Sequence, residues 1–186
     1  PVVNLSVSSS SITENAGSSI TVTATMNFAT IIDTDITIST SGTALEGTDY
    51  GNVADITISA GDTTGTATFT PTDDSVYEGN ETATITMASI TGANAGSTTS
   101  QTITITENDS TPVVTLATSA SSIAENAGSS LTLTATLSNA TTADVTVTLS
   151  TSGTGTEGTD YSTISDITIS AGATTGTASF TPTDDN

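Results

Sequence analysis

The residues best suited to chemistry form one acidic stretch, Asp73-Asp74-Ser75-Val76-Tyr77-Glu78-Gly79-Asn80-Glu81, with four carboxylates in nine positions. The chain has 20 Asp and Glu residues and no Lys, Arg or His, so no basic side chain can neutralise them. Carboxylates crowded in this way raise one another's pKa or bind a cation. Ligands that are all oxygen suit Ca²⁺ far better than Zn²⁺ or copper. The stretch therefore predicts a calcium site or, in the simpler interpretation, a solvated acidic turn.

The composition excludes several classes of function. A net charge of −20 argues against binding to nucleic acid or to anionic membrane surfaces, because both need Lys or Arg. No apolar run is long enough to be inserted in a membrane. Without Cys there are neither disulfides nor thiolate metal sites, and without His or Cys no Ser-His or Cys-His pair can form. With no Trp and three Tyr, no aromatic platform for a sugar is evident. We expect that the protein is not an enzyme.

An internal repeat organises the chain. Four motifs recur 111 positions later without insertion or deletion: Pro1-Val2-Val3, Glu14-Asn15-Ala16-Gly17, Gly47-Thr48-Asp49-Tyr50 and Pro71-Thr72-Asp73-Asp74. The repeat predicts two domains, residues 1–111 and residues 112–186. The second domain lacks a counterpart of residues 76–111, which would leave strand edges unpaired. We therefore expect it to be incomplete and the chain to be cut from a longer repetitive protein.

Strict alternation of Thr with Ile, Val and Ala predicts half-buried strands. In the first repeat the strands are expected at 2–7, 19–27, 34–41, 54–60, 65–71, 81–89 and 100–107. The period of two places these side chains inward: Ile20, Val22, Ala24, Met26, Ile36, Ile38, Ile56, Ile58, Ala67, Phe69, Ile85, Met87, Ile103 and Ile105. About seven short antiparallel strands in roughly 110 residues indicate an all-β, immunoglobulin-like sandwich for each repeat, with the second copy truncated.

The order of the motifs resembles that of the Calx-beta domain, which is known from the regulatory loop of sodium–calcium exchangers and from giant bacterial surface proteins. The motifs are Glu14-Asn15-Ala16-Gly17, Gly42-Thr43 with Gly47-Thr48-Asp49-Tyr50, the Ala60-Gly61-Asp62-Thr63 turn, the acidic stretch and a closing Glu107-Asn108-Asp109. The resemblance covers the first repeat and all that is present of the second. It implies an immunoglobulin-like sandwich that binds calcium at one end.

The resemblance also implies a set of calcium ligands. In the first repeat these are Glu14, Asp49, Asp73, Asp74, the carbonyl of Val76, Glu78, Glu107, Asn108 and Asp109. In the second repeat they are Glu125, Asp160, Asp184 and Asp185. Glu81 matches a position expected outside the ligand set, and Asn108 is a neutral oxygen donor in a triplet that is acidic throughout in the best calcium binders. The remaining turn acids of the first repeat are interpreted as surface residues, with Glu46 a further ligand candidate because it is close to Asp49.

A structural role is the leading hypothesis for function. The linker Ser110-Thr111 has two residues and is followed by Pro112, so calcium would stiffen the junction. We expect a stalk or filament segment of a large secreted adhesin at the cell surface, with neighbouring repeats and identical chains as partners. The alternative is a calcium-sensing regulatory domain of a transporter in the cytosol. The absence of bases and the near-identical tandem repeat argue against that alternative.

Overall fold

The computed structural model describes residues 1–185. Contacts within the chain divide it into two units. The first comprises Pro1–Asp74 and Gly79–Asn108, and the second comprises Ser75–Glu78 and the residues from Asp109 onward. Across the described residues, no helix is long and apolar enough to cross a membrane.

The secondary structure consists of strands joined by turns. In chain order the strands are β1 (Val2–Val7), β2 (Ser11–Thr13), β3 (Ile20–Met26), β4 (Thr34–Gly42), β5 (Ile56–Ile58), β6 (Thr64–Phe69), β7 (Val76–Tyr77), β8 (Glu81–Thr91), β9 (Asn94–Ala95), β10 (Ser100–Thr106), β11 (Val114–Thr118), β12 (Leu131–Leu137), β13 (Ala140–Thr141), β14 (Val145–Val147), β15 (Ile167–Ile169) and β16 (Thr175–Phe180).

The first unit is a sandwich of two sheets. One sheet has the strand order β6-β3-β1-β9 and the other β2-β10-β8-β4-β5. Alternate side chains of both sheets meet in one apolar cluster that includes Val22, Phe69, Ile85 and Ile103. All the side chains predicted to point inward are buried, except Ile38, which is half-buried. The predicted all-β, immunoglobulin-like fold is therefore confirmed.

Two short strands of the first unit were not predicted from the sequence. Strand β2 pairs in parallel with β10, and β9 pairs in parallel with β1. Each has only two or three residues, too few for an alternating pattern to show. As a result, the first segment of the chain pairs in one sheet through β1 and in the other through β2. That change of sheet brings Glu14 to the end of β10.

The second unit has a smaller core. Its sheets are β11-β12-β16, β14-β15 and β13-β7, and the central buried residues are Ala135, Leu137, Ile167 and Ile169. Leu116 is 52% exposed, whereas its counterpart Leu5 in the first unit is 2% exposed. Leu5 lies in a core to which β8 and β10 contribute, and the described part of the second unit contains no counterpart of those strands.

Candidate metal centre

Two glutamates meet where β2 and β10 end. The parallel register pairs Ile12 with Ile105 and Thr13 with Thr106, so the next residue of each strand, Glu14 or Glu107, emerges beside the other. The Glu14 N–H continues the pairing by donating to the Thr106 carbonyl at 3.1 Å. Carboxylate oxygens of Glu14 and Glu107 lie within 4.8 Å of each other. Strand register therefore places two negative charges side by side.

Glu14 is only 7% exposed. An ionised carboxylate removed from water needs both hydrogen bonds and a counter-charge. The Asp74 N–H donates to Glu14 Oε1 at 3.1 Å, which supplies a hydrogen bond but no positive charge. No Lys, Arg or His exists in the sequence to supply that charge. The chemistry of this donor set fits a hard cation.

Glu107 links the end of β10 to the acidic stretch. The Gly79 N–H donates to Glu107 Oε2 at 2.8 Å. In return, the Glu107 N–H donates to Asn80 Oδ1 at 3.0 Å. These two bonds hold the turn before β8 against the carboxylate and orient its oxygens.

Asn108 connects two of the loops at the same end of the sandwich. Its side-chain oxygen accepts a hydrogen bond from the Asn15 N–H at 3.1 Å. Its side-chain nitrogen donates to Asp73 Oδ1 at 3.4 Å. The amide therefore bridges the loop after β2 and the loop after β6, and it does so without adding a charge.

A second pair of carboxylates is formed by Asp49 and Glu81, whose oxygens lie within 4.8 Å of each other. Asp49 is well anchored: its Oδ2 accepts from the Leu45 N–H at 2.6 Å. The next residue, Tyr50, is 1% exposed and its ring centroid lies 4.6 Å from that of Phe69. Glu81 was expected outside the ligand set, and its proximity to Asp49 makes it a further candidate ligand. The available signal was its position as the last acid of Asp-Asp-x-x-x-Glu-x-x-Glu.

Comparison with known proteins identifies the family. The family model of the Calx-beta domain matches residues 1–109 and, a second time, residues 107–186. The chain belongs to the Calx-beta family. No curated protein sequence matches the chain.

Solved structures similar to this Calx-beta chain include one CBD1 domain and two CBD12 structures. The apo-form Calx CBD1 domain has 22% identity and a TM-score of 0.47, with 59% of this chain and 100% of that chain covered. CBD12 from CALX1.2 has 19% identity and a TM-score of 0.48, covering 95% and 72%. The calcium binding domain CBD12 of CALX1.1 has 18% identity and a TM-score of 0.52, covering 96% and 74%. The last of these supports the Calx-beta fold described above.

Three of the ligands predicted for the first Calx-beta repeat belong to the second unit: Val76, Glu78 and Asp109. Val76 lies in β7 and pairs with Ala140 of β13. The first unit itself brings together Glu14, Glu107, Asp73 and Asn108, with Asp74 joining through its backbone, and separately Asp49 with Glu81. The full ligand set implied by the resemblance stays a prediction.

The second Calx-beta repeat reproduces part of this arrangement. Asp160 Oδ2 accepts from the Thr156 N–H at 2.6 Å, as Asp49 does in the first repeat. Glu125 lies against Asp185, and the hydrogen bond between the two carboxyl groups, together with their repulsion, raises the pKa of Glu125. Asp184 adds to that repulsion. Over the described residues 112–185, no three acids offer carboxylate oxygens that all lie within 4.8 Å of one another.

Glu46 has a structural explanation. Its carboxylate accepts hydrogen bonds from Thr40 Oγ1 at 2.5 Å and from the Asn52 side chain. The bond from Thr40 makes the largest contribution to holding the pKa of Glu46 below its ordinary value, and the Asn52 bond adds to it. Glu157 accepts in the same way from Thr151 at 3.3 Å. These glutamates brace the turn that follows the fourth strand of each repeat, and no close acidic group in the described residues includes them.

Proposed function

We propose that the first repeat is a calcium-binding Calx-beta domain. The observation that carries the proposal is the pair Glu14 and Glu107, one of them buried, in a chain without a single basic side chain. Calcium bound between these carboxylates would offset their repulsion. The pair Asp49 and Glu81 offers a second place for an ion at the edge of the same unit.

The donor set favours Ca²⁺ over other metals. The side-chain donors at this site are carboxylate and amide oxygens, and the sequence has no His or Cys to supply the imidazole and thiolate ligands that select zinc and copper. Calcium accepts six to eight oxygens in a flexible geometry, whereas Mg²⁺ demands a near-ideal octahedron and keeps several waters. Loops joined by the Asn108 bridge can supply irregular oxygen positions. The name of one similar structure, a calcium binding domain, supports the same metal.

Calorimetry of the full chain tests the proposal. We expect saturable heat on addition of Ca²⁺, weaker heat with Mg²⁺, and loss of the main binding event in Glu14→Gln. Asp62→Asn is the matched control, because it also removes one carboxylate but from an exposed turn, and the equivalent position of the second repeat is Ala173. Equal calcium binding by the chain and by Glu14→Gln would contradict the assignment of Glu14 as a ligand.

We propose two alternative roles for the bound calcium, neither of them catalytic. The regulatory alternative, in which calcium binding controls a transporter, is supported by the likeness to the calcium binding domain CBD12 of CALX1.1, since the Calx-beta domain is known from the regulatory loop of sodium–calcium exchangers. The sequence favours the stalk of a secreted surface protein, because the chain has no base and joins its repeats through a two-residue linker. The comparison is the stronger guide to the family, and the composition is the stronger guide to the location of the protein.

Affinity separates the two roles. Extracellular modules typically bind Ca²⁺ at about 10⁻⁴–10⁻³ M, whereas sensors in the cytosol bind at about 10⁻⁷–10⁻⁵ M. A dissociation constant in the first range would support the stalk and reject the sensor. A dissociation constant in the second range would support regulation and leave the stalk without a physical basis.

A further inference from the structure

The loop of residues 27–33, between β3 and β4, exposes an apolar surface. Phe28 is 55% exposed, Ile31 97% and Ile32 59%. Three large apolar side chains are thus exposed within five residues, and clustered exposed apolar residues mark interaction sites more often than isolated ones do. No other residue of the first unit covers these three side chains, so they are available to a partner.

The equivalent loop of the second repeat already binds a strand. There β13, Ala140–Thr141, pairs in parallel with β7, which places Ala140 opposite Val76 and Thr141 opposite Tyr77. The residues 111 positions earlier, Ala29 and Thr30, are identical. The internal repeat therefore shows what kind of segment fits this edge.

The two loops also share their internal hydrogen bonds. Thr30 Oγ1 donates to the Ile32 carbonyl at 2.6 Å, and Thr141 Oγ1 donates to the Ala143 carbonyl at 2.7 Å. The carbonyl of each threonine accepts from a turn glycine at 2.8 Å in both repeats. The edge at Ala29 is thus already in the conformation that pairs in the second repeat. The difference is that Ala29 is exposed and Ala140 is half-buried.

The two residues that follow the paired threonine are larger and more apolar in the first repeat than in the second. In the second unit a cavity of about 260 Å³ next to Tyr77 is lined by Thr142 and Ala143, among others. The first repeat has Ile31 and Ile32 at those two positions. Larger apolar side chains would fill such a cavity against an aromatic ring and add buried apolar area. The first loop is therefore suited to the same strand with a tighter fit.

We propose that the 27–33 loop is the docking surface for the acidic-loop strand of a further Calx-beta module, a segment with the pattern of Val76–Tyr77. The backbone of that segment pairs with Ala29–Thr30, and its tyrosine packs against Ile31 and Ile32. The Val76–Tyr77 segment of this chain is already paired with β13, so the partner module is a further one. The inference rests on the pairing of β7 with β13 and on the internal repeat, and it does not use the assignment of the calcium ligands.

Disulfide trapping in a lengthened chain tests the docking. A copy of residues 1–111 placed ahead of Pro1 reproduces the native Ser110-Thr111-Pro junction, and the chain has no cysteine of its own. By the register of β7 and β13, Val76→Cys in the added copy should form a disulfide with Ala29→Cys, because directly paired Cα atoms fall in the range that a disulfide spans. The pair Val76→Cys and Ala140→Cys in the original chain is the positive control. Ser18→Cys in place of Ala29→Cys is the negative control, because Ser18 is exposed and precedes β3, whereas Ala29 follows β3.

A yield like that of the positive control supports the proposal, and a yield at the level of the negative control overturns it. A second variant tests the apolar contact: Phe28→Asn, Ile31→Thr and Ile32→Ala give these three positions the residues of the second repeat, whose loop makes the same threonine hydrogen bond. We expect a lower cross-linking yield in this triple variant. An unchanged yield would overturn the packing role of Ile31 and Ile32. Self-association of the original chain that the triple variant abolishes, without any cross-link, would identify a second copy as the occupant and overturn the proposal.

Discussion

Replacing Glu14 with Gln should have opposite effects on stability with and without calcium. Gln keeps the side-chain oxygen that accepts the Asp74 N–H, so the variant removes the charge and leaves the hydrogen bond. In excess chelator, the variant loses the electrostatic repulsion between residue 14 and Glu107. At 4.8 Å and an effective dielectric constant of about 20, two unit charges repel by about 3 kcal/mol. Because Glu107 is half-buried, solvent reduces that value to about 1–2 kcal/mol.

With calcium the sign reverses. An ion at about 100 times its dissociation constant stabilises the folded state by about 2.7 kcal/mol, and a variant that cannot bind loses this contribution. A change of 1 kcal/mol shifts Tm by about 4–8 °C in a domain of this size. We therefore expect Glu14→Gln to melt several degrees above the original chain in chelator and several degrees below it in saturating Ca²⁺.

The assay is a thermal melt of the full chain followed by circular dichroism, in both conditions, with Asp62→Asn as control. Asp62→Asn should change Tm only slightly, and by the same amount in saturating Ca²⁺ and in chelator. If Glu14→Gln lowers Tm equally with calcium and with chelator, Glu14 serves packing and hydrogen bonding alone, and the electrostatic argument for the site fails.

Two further predictions use the repeat as its own control. A Cβ on Gly42 would lie 2.0 Å from the Thr82 carbonyl oxygen, whereas Gly153 has nothing within 4 Å, although φ is +134° and +128° respectively. Gly42→Ala should therefore cost about 1–3 kcal/mol more than Gly153→Ala in chemical denaturation, and equal costs would contradict the close approach. Because the pKa of Glu125 is raised in the folded state, its protonation stabilises the folded state at pH values below the ordinary Glu pKa. This stabilisation is lost as the pH rises through the raised pKa. Asp185→Asn should return the Glu125 pKa toward its ordinary value in an NMR titration, and an unchanged pKa would contradict the contact.

Several features of the fold could be predicted from the sequence because they follow from local patterns. Side chains alternate across a strand with a period of two, so Ile20, Val22 and Met26 had to share a face. The motifs that mark the family lie in turns, where residue type is constrained locally. Strands of two or three residues leave no such pattern. For that reason β2, β7 and β9 were missed.

The candidate site was predicted only in part. Glu14 and Glu107 were both named, yet their proximity depends on the parallel pairing of β2 with β10, which no local pattern indicates. Glu81 was left out because its approach to Asp49 depends on where β8 begins relative to the turn before Tyr50. Glu46 was a weak candidate, and its hydrogen bonds with Thr40 and Asn52 explain it without a metal.

The sequence by itself determined the family, the repeat and the faces of the strands. It also predicted a cation site, since 20 acids without one base have no internal counter-charge. The tertiary structure decided which carboxylates meet and which loop edges are open. Both depend on contacts between residues far apart in the chain, such as Thr13 with Thr106. Register between distant strands is set by the packing of the whole sandwich, so it cannot be read from any single stretch.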